Sequence, residues 1–412
     1  MNSSSRRCLV KTLMVVRIIS LTLLLAASLL GAEHPFLESE LIFPLGTLHA
    51  HSSSIVQLPN GDFYACWYKG SGERTADDVK VEASLLRRGT RTWSKPYTLV
   101  DQPEFPDTNP VLFLDSHQRL WVIWSTVLAH HWETALLRYK IAFHYEDLTV
   151  PPRWDVSDPL LFIPRNFAAA VERDTKPWLD HLPAGRDGEE AQHAIRMATD
   201  EYFSRMGWMG RNQPLELPSG RILVPLYSDG YNFSLLAITD DGGMTWSSSE
   251  PIVSMGGVQP SLVRKRDGTI VAYMRNNGPP PKRVIRAESK DDGLTWSTPI
   301  YTDIPNPGSS MEVTGLRDGQ WVLICNDTER GRHSLLVAIS DDEGQSWKWK
   351  RHLERDNSTN RPGSFHYPTL IQAHDGSLHA TYSYTPGGLN RGEPSQSIKH
   401  VHFNVEWVKQ GD

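Results

Sequence analysis

Thr239-Asp240-Asp241-Gly242-Gly243-Met244-Thr245-Trp246 is the stretch whose reading decides the fold. The same pattern returns at residues 289–296 (SKDDGLTW) and 340–347 (SDDEGQSW). Each copy has a hydroxyl residue first, Asp third, Gly fifth, a hydroxyl seventh and Trp eighth. The copies begin at 239, 289 and 340, so the spacings are 50 and 51. A fixed period of this size marks a repeated supersecondary unit, as in propellers and solenoids. The local physics is that of a hairpin turn. A short carboxylate accepts backbone N–H groups across the turn, and glycine takes a positive φ. The Trp ring is then free to pack between neighbouring units. Residues 87–93 form a degenerate copy that keeps Gly89, Thr92 and Trp93 but lacks the Asp, and Trp154 marks the place of a fifth.

A second signal interleaves with the first. Apolar, strand-like runs flank turns at Gly61, His117, Gly220, Gly268, Gly319 and Gly376. These positions differ by 56, 103, 48, 51 and 57 residues, so one interval is doubled. Hairpins at even spacing predict an all-β repeat fold. Six four-stranded units close into a six-bladed β-propeller. The doubled interval places an insertion at about residues 153–211. Ala191, Ile195, Ala198 and Tyr202 recur there at helical spacing, which predicts at least one helix within residues 189–203. A lid or cap is expected of it rather than a second domain.

The chain has 412 residues, and 42 Lys plus Arg against 48 Asp plus Glu give a net charge of −6. No basic excess exists to hold a polyanion, so nucleic acid is not expected as a partner. Residues 1–32 read as a secretory signal, with Arg6, Arg7, Lys11 and Arg17 ahead of an apolar run from Ile18 to Leu30. Export to the periplasm or medium is expected, with residues 33–408 as the propeller and no membrane attachment after cleavage. Cys8 would leave with the signal. Cys66 and Cys325, both in apolar strands, are expected to be buried free thiols. Oligomeric state is not legible.

The repeats resemble the Asp-box, or BNR repeat, of the sialidase-like superfamily. The nearer resemblance is to its bacterial neuraminidase-like branch. It rests on His49-Ala50-His51-Ser52-Ser53-Ser54-Ile55-Val56, Gly70-Ser71-Gly72-Glu73-Arg74, Asn109-Pro110-Val111-Leu112-Phe113 and Tyr367-Pro368-Thr369-Leu370-Ile371-Gln372. The resemblance implies an exo-acting glycoside hydrolase on an acidic sugar, with a glycan partner and no cofactor. It implies an arginine clamp on a sugar carboxylate, because guanidinium matches a carboxylate bidentately. Arg275 and Arg332 match that clamp, with Arg330 as the alternative to Arg332. Tyr367 matches the nucleophile's context, with Glu312 as a partner. Glu73, Asp77 and Asp78 occupy the loop where the family keeps its acid/base, and Arg74 is beside them. The Asp-box aspartates are structural in the family.

Polar residues stand at equivalent points of each unit: His49 and His51, Asn109, Arg211 and Asn212, Gln259, Ser310 with Glu312, and His366 with Tyr367. They are read as lining an axial pocket; turn capping would explain some of them equally. The family begins its first unit with Arg-Ile-Pro, where this chain has His49-Ala50-His51. One permanent cation of the clamp is thereby replaced by imidazole. The two histidines suit substrate binding, catalysis or a structural role. No third residue at ligand spacing makes them a metal site. Two other functions fit the same residues. One is a uronate lyase in which His51 or Tyr367 takes the C5 proton, and the other a non-catalytic glycan- or protein-binding propeller. Trp208 reads either as a sugar-stacking platform or as an anchor for the insertion.

Overall fold

The computed structural model describes residues 34–179 and 186–412. Residues 1–32, read above as a signal, and Cys8 within them lie outside the described residues. The strands form six sheets arranged as blades in a ring. Blade 1 contains His49–Gln57, Phe63–Gly70, Lys80–Leu86 and Tyr97–Val100. Blade 2 contains Asp107–Leu114, Leu120–Val127, Ala135–Ala142 and Val156–Pro159. In blade 3 the inner strand is split into Met209–Gly210 and Leu215–Glu216, followed by Ile222–Ser228, Phe233–Thr239 and Ser247–Ser248. Blade 4 contains Gly257–Arg264, Ile270–Asn276, Arg283–Ser289 and Ile300–Pro305. Blade 5 contains Glu312–Gly315, Trp321–Cys325, Ser334–Ser340 and Trp349–Arg355. Blade 6 takes Ser364–Gln372, Leu378–Thr385 and Ser397–Phe403 from the C-terminal end and Leu37–Leu41 from the N-terminal end. That last pairing, Leu37 opposite Phe403 through Leu41 opposite Lys399, closes the ring without leaving an open edge between first and last blades.

The octapeptides join the third and fourth strands of blades 3, 4 and 5. Asp241 accepts from Met244 N at 3.0 Å, Thr245 N at 2.9 Å, Thr245 Oγ1 at 2.6 Å and Thr239 Oγ1 at 2.8 Å. The Thr245 hydroxyl and these further donors hold its carboxyl down at about 2. Gly243 has φ +94°, and a Cβ there would lie 2.6 Å from the Trp121 ring of blade 2. Trp246 meets the rings of Trp121 and Tyr139, also of blade 2. Gly344 of blade 5 likewise presses on Tyr273 of blade 4. Each box therefore ties its blade to the preceding one. The degenerate copy keeps this work: Trp93 meets His400 of blade 6 and donates to Glu40 across the closing seam. Cys66 and Cys325 are buried free thiols in second strands.

The inserted segment runs from residue 160 to 208, because Val156–Pro159 is the outer strand of blade 2. Helices α1 (Phe167–Leu179), α2 (Arg186–Ala198) and α3 (Glu201–Arg205) lie within it. The helical spacing read across residues 189–203 is interrupted at Asp200, whose carboxylate caps α3 by accepting from Tyr202 N and Phe203 N. Phe167, Val171, Met197 and Trp208 join Tyr139, Tyr231 and Phe233 in one core, so the insertion packs against blades 2 and 3. Trp208 is 2% exposed and stacks on Tyr231. It anchors the insertion and is not available to a sugar. No helix among the described residues is long and apolar enough to cross a membrane.

Candidate functional site

The inner strand of several blades carries the same irregularity. Ladder register slips between His51 and Ser54, Thr108 and Val111, Val258 and Ser261, and His366 and Thr369. At each slip one residue takes a left-handed conformation: Ser52 (φ 57°), Asn109 (48°), Gln259 (55°) and Tyr367 (56°). Three of them precede proline, which has no N–H to give the ladder and is tolerated at a bulge. A non-glycine residue in this region costs on the order of 1 kcal/mol, and such strain collects at functional positions. Asn109, Gln259 and Tyr367 thus sit inside the inner strands at a bulge, whereas Arg211 and Asn212 lie between the two pieces of blade 3's inner strand and Ser310 precedes that of blade 5. In blade 1 the bulge residue is Ser52, with His51 beside it.

Across the ladder from each bulge lies a second set. His51 pairs with Tyr68, Thr108 with Ser125, Val258 with Arg275, and His366 with Ser383. Tyr68, Tyr227, Arg275, Asn326 and Ser383 each fall seven residues after the hairpin glycine of their blade. That offset is the signal by which Tyr68 and Tyr227 could have been found from sequence; only Arg275 was. Asp229, two residues beyond Tyr227, was also missed.

Tyr367 is the centre of the assembled site. It is 8% exposed. Its hydroxyl oxygen accepts from Arg275 Nη1 at 2.7 Å and from Gln259 Nε2 at 3.1 Å. Three guanidinium groups surround its ring, Arg211 at 5.1 Å, Arg332 at 5.4 Å and Arg275 at 5.9 Å from the centroid. The His51 ring lies 4.1 Å away, with His366 4.8 Å and His49 5.3 Å beyond it. Tyr68 stands beside His49 and His51 and donates to Glu73 at 2.7 Å. Asn109 donates to the Tyr227 hydroxyl at 3.0 Å. Distant segments of blades 1 to 6 therefore converge on one end of the axis.

The charges of the site differ in kind. Burial, reinforced by neighbouring imidazoles and guanidiniums, pushes His51 and His366 well below the usual histidine range. Both are neutral near pH 7. Arg332 donates toward His366 Nδ1 at 3.4 Å, which requires that nitrogen to be unprotonated. Burial also lowers His49, against the opposing charge of Glu73. The permanent cations are thus Arg211, Arg275 and Arg332. Arg211 is 1% exposed and donates to the Pro368 and Ser53 carbonyls, so it is a strut across the axis rather than an open clamp. Arg275 and Arg332 are part-exposed and come from adjacent blades. Arg275 Nη1 is held on Tyr367 and Gln259 and its Nη2 on Asn277, while Arg332 is held on His366 and the Gly308 carbonyl. Asn212 donates to the Met311 carbonyl, and the buried Ser310 hydroxyl has no partner among the described residues.

The carboxylates separate by place. Glu312 is buried and accepts from Thr369 Oγ1 at 3.1 Å and Ser261 Oγ at 3.5 Å. No carboxylate, Glu312 included, hydrogen-bonds to Tyr367 among the described residues, so the expected Tyr367–Glu312 pair is not formed. Burial lifts Glu312 to about 7 despite Arg211 nearby. Asp78 accepts from Ser71 N and Oγ as a turn cap. Asp77 is exposed and pairs with His130 of blade 2 at 2.6 Å. Arg74 lies over the Trp132 ring at 5.3 Å, not in an ion pair with either aspartate. Glu73 is the loop carboxylate turned toward the cluster, where its charge bears on His49, Tyr68 and Arg332. Burial raises Asp229, with Arg275 opposing and the charges of Glu133 and Glu73 adding to the rise. No metal-ligating group of three or more His, Cys, Asp or Glu occurs among the described residues.

A family model described as a BNR repeat-like domain matches residues 61–148 and 189–380. A crystal structure of a Dyadobacter fermentans protein of unknown function superposes with a TM-score of 0.65 at 16% identity, covering 89% of this chain and 98% of that one. A mutant of the NanB sialidase from Streptococcus pneumoniae gives 0.62 at 14% identity, covering 93% and 73%. The leech intramolecular trans-sialidase, solved with 2,7-anhydro-Neu5Ac, gives 0.65 at 14% identity, covering 90% and 71%. At these identities the likeness is one of fold.

Proposed function

We propose that this chain, which belongs to the BNR repeat-like domain family, binds the carboxylate of an acidic sugar at the axial end of its propeller and processes the adjoining glycosidic bond. The observation that carries the reading is the pair Arg275 and Arg332. They come from neighbouring blades, flank one tyrosine, and have no carboxylate partner among the described residues. Two part-exposed guanidiniums with that freedom suit a planar anion. The third clamp position is filled by neutral His51 and His366, which offer hydrogen bonds without charge. In the exo-glycosidase reading Tyr367 stands at the anomeric carbon. Glu73, which the Tyr68 hydroxyl holds toward the cluster, protonates the leaving oxygen, whereas Asp77 and Asp78 are turned to His130 and Ser71. Secretion belongs to the same proposal and rests on residues 1–32.

The test uses fluorogenic glycosides of N-acetylneuraminate and of glucuronate. Release of the aglycone is expected from one of them, falling at least about 10²-fold in Tyr367→Phe, the scale of a lost catalytic proton or nucleophile. Unchanged turnover in that variant refutes the role of Tyr367. One observation favours a second reading, a uronate lyase: the Tyr367 oxygen is held by two N–H donors and by no base. There a neutral His51 takes the C5 proton, the C4–O bond breaks as the C4=C5 double bond forms, and the leaving oxygen takes a proton from Tyr367. An unsaturated product absorbing in the ultraviolet separates the lyase from the hydrolase.

A further inference from the structure

Arg275 and Arg332 come from different blades, so their separation is set by whatever joins the loops behind them. Each rests one Nη2 group on such a loop. Arg275 Nη2 donates to Asn277 Oδ1 at 3.1 Å, just past the end of its strand. Arg332 Nη2 donates to the Gly308 carbonyl at 3.0 Å, in the linker from blade 4 to blade 5. The side chain of Asn306, 0% exposed, bonds both loops.

Its carboxamide is committed at both ends. Oδ1 accepts from Asn276 N at 3.2 Å, Gly308 N at 3.0 Å and Ser309 N at 3.3 Å. Nδ2 donates to the Ser309 carbonyl at 2.9 Å. Three N–H groups face one end, so that end has to be oxygen and the amide has one orientation. The bonds to Gly308 and Ser309 close the turn in which Gly308 takes φ +79° and offers its carbonyl to Arg332. A turn cap needs no more than these. The bond to Asn276 N lies outside that turn and holds the residue between Arg275 and Asn277. Asn276 is also 0% exposed, and its own amide accepts from Gly278 N at 2.9 Å and donates to the Pro281 carbonyl at 2.7 Å. The anchors of both arginines therefore meet at Asn306.

We propose that Asn306 is a positioning residue that sets the separation of the Arg275 and Arg332 guanidiniums so that both reach one carboxylate. This rests on the reading that an acidic sugar occupies the axial pocket. It deepens that reading by placing the choice of a carboxylate over a neutral group in a buried residue that does not touch the ligand. Misplacement by about 1 Å is enough to cost up to about 10²-fold where two groups have to be held together.

The test compares an acid with its ester and adds a ligand-free readout. Binding of sodium glucuronate, N-acetylneuraminate and the methyl ester of each is measured by NMR titration of the full chain. Asn306→Ala is expected to weaken binding of the acid at least about tenfold, as a lost charge-assisted contact does, and that of the ester by less than about twofold. A general loosening of the pocket would weaken both alike. Protein labelled with ¹⁵N-arginine supplies the second readout, the Arg332 side-chain signal being the one lost in Arg332→Lys. That signal is expected to move in ligand-free Asn306→Ala. Equal losses for acid and ester, an undiminished affinity for the acid, or an unmoved signal overturns the proposal. If wild-type protein binds neither acid, the acidic-sugar reading fails, and the arginine signal still decides whether Asn306 places Arg332. Should Asn306→Ala not fold, Asn306→Ser keeps a hydroxyl acceptor for its own turn but is too short to hold Asn276. It is expected to lower the preference for acid over ester at least about threefold, the scale of one hydrogen bond, and an unchanged preference there also overturns the proposal.

Discussion

Glu312→Gln tests whether the axis of the propeller imposes an electrostatic cost on the fold. Glu312 is 3% exposed, and burial raises its carboxyl from an ordinary 4.5 to about 7. The unfolded chain ionises this group near 4.5, and the folded chain holds it neutral until about 7. Between these values folding takes up a proton at Glu312, so this group's contribution to stability is highest at low pH and is lost as pH rises toward 7. The gap corresponds to about 3 kcal/mol above pH 7, at about 1.4 kcal/mol for each tenfold change in proton affinity. Glutamine keeps the shape and the contacts, because the Thr369 and Ser261 hydroxyls can each donate or accept. It carries no charge to bury. Glu312→Gln is therefore expected to be more stable than wild type by about 3 kcal/mol at pH 8 and by under about 1 kcal/mol at pH 5. Unfolding entropy for a chain of this size is about 0.8 kcal/mol/K, so the pH 8 gain reads as about 4 °C in a calorimetric midpoint. A midpoint difference equal at the two pH values, or larger at pH 5, refutes the reasoning.

Other outcomes follow from the same geometry. His379 is 4% exposed, and burial beside His400 and His402 pushes it far below the usual histidine range. The unfolded chain protonates it below about 6.5, so stability is lost as pH falls from there; the midpoint of His379→Gln should fall less than that of wild type between pH 6.5 and 4.5. Asp291→Ala removes the acceptor for Thr295 N at 2.9 Å and Thr295 Oγ1 at 2.6 Å, and should destabilise by about 1–3 kcal/mol in urea titration. Trp208→Ala should cost about 3–5 kcal/mol while leaving acidic-sugar affinity within about twofold, since its ring is buried in the insertion's core. Arg332→Ala should weaken binding of glucuronate or N-acetylneuraminate at least about tenfold by calorimetry, as loss of a charge-assisted pair requires.

The fold was legible because it repeats. Asp241, Asp291 and Asp342 perform one local task with the same donors at the same offsets, and hairpin glycines recur at one spacing. Local chemistry at fixed period is what a sequence displays directly. The site is legible only in part, because it is assembled across blades. Arg275 and Tyr367 were found by family motif, yet the partner of Tyr367 was misplaced. Gln259 was identified only as one polar position in a ring, whereas it makes the contact assigned to Glu312. Both residues lie in inner strands, and only the bulge decides which side chain reaches the tyrosine. Asp77, Asp78 and Glu73 are indistinguishable by composition. They separate because His130 of the next blade holds Asp77, Ser71 holds Asp78, and Tyr68 holds Glu73 toward the cluster. Tyr68 and Tyr227 were missed because they read as ordinary apolar strand residues unless their offset from the hairpin glycine is counted.

The central claim is that Arg275 and Arg332 hold a sugar carboxylate above Tyr367. A crystal structure of the protein soaked with N-acetylneuraminate or glucuronate tests it most directly. The account predicts the carboxylate within about 3 Å of both guanidiniums, with the same sugar seated over Tyr367. A sugar seated away from both arginines, or one whose carboxylate faces solvent, would contradict it.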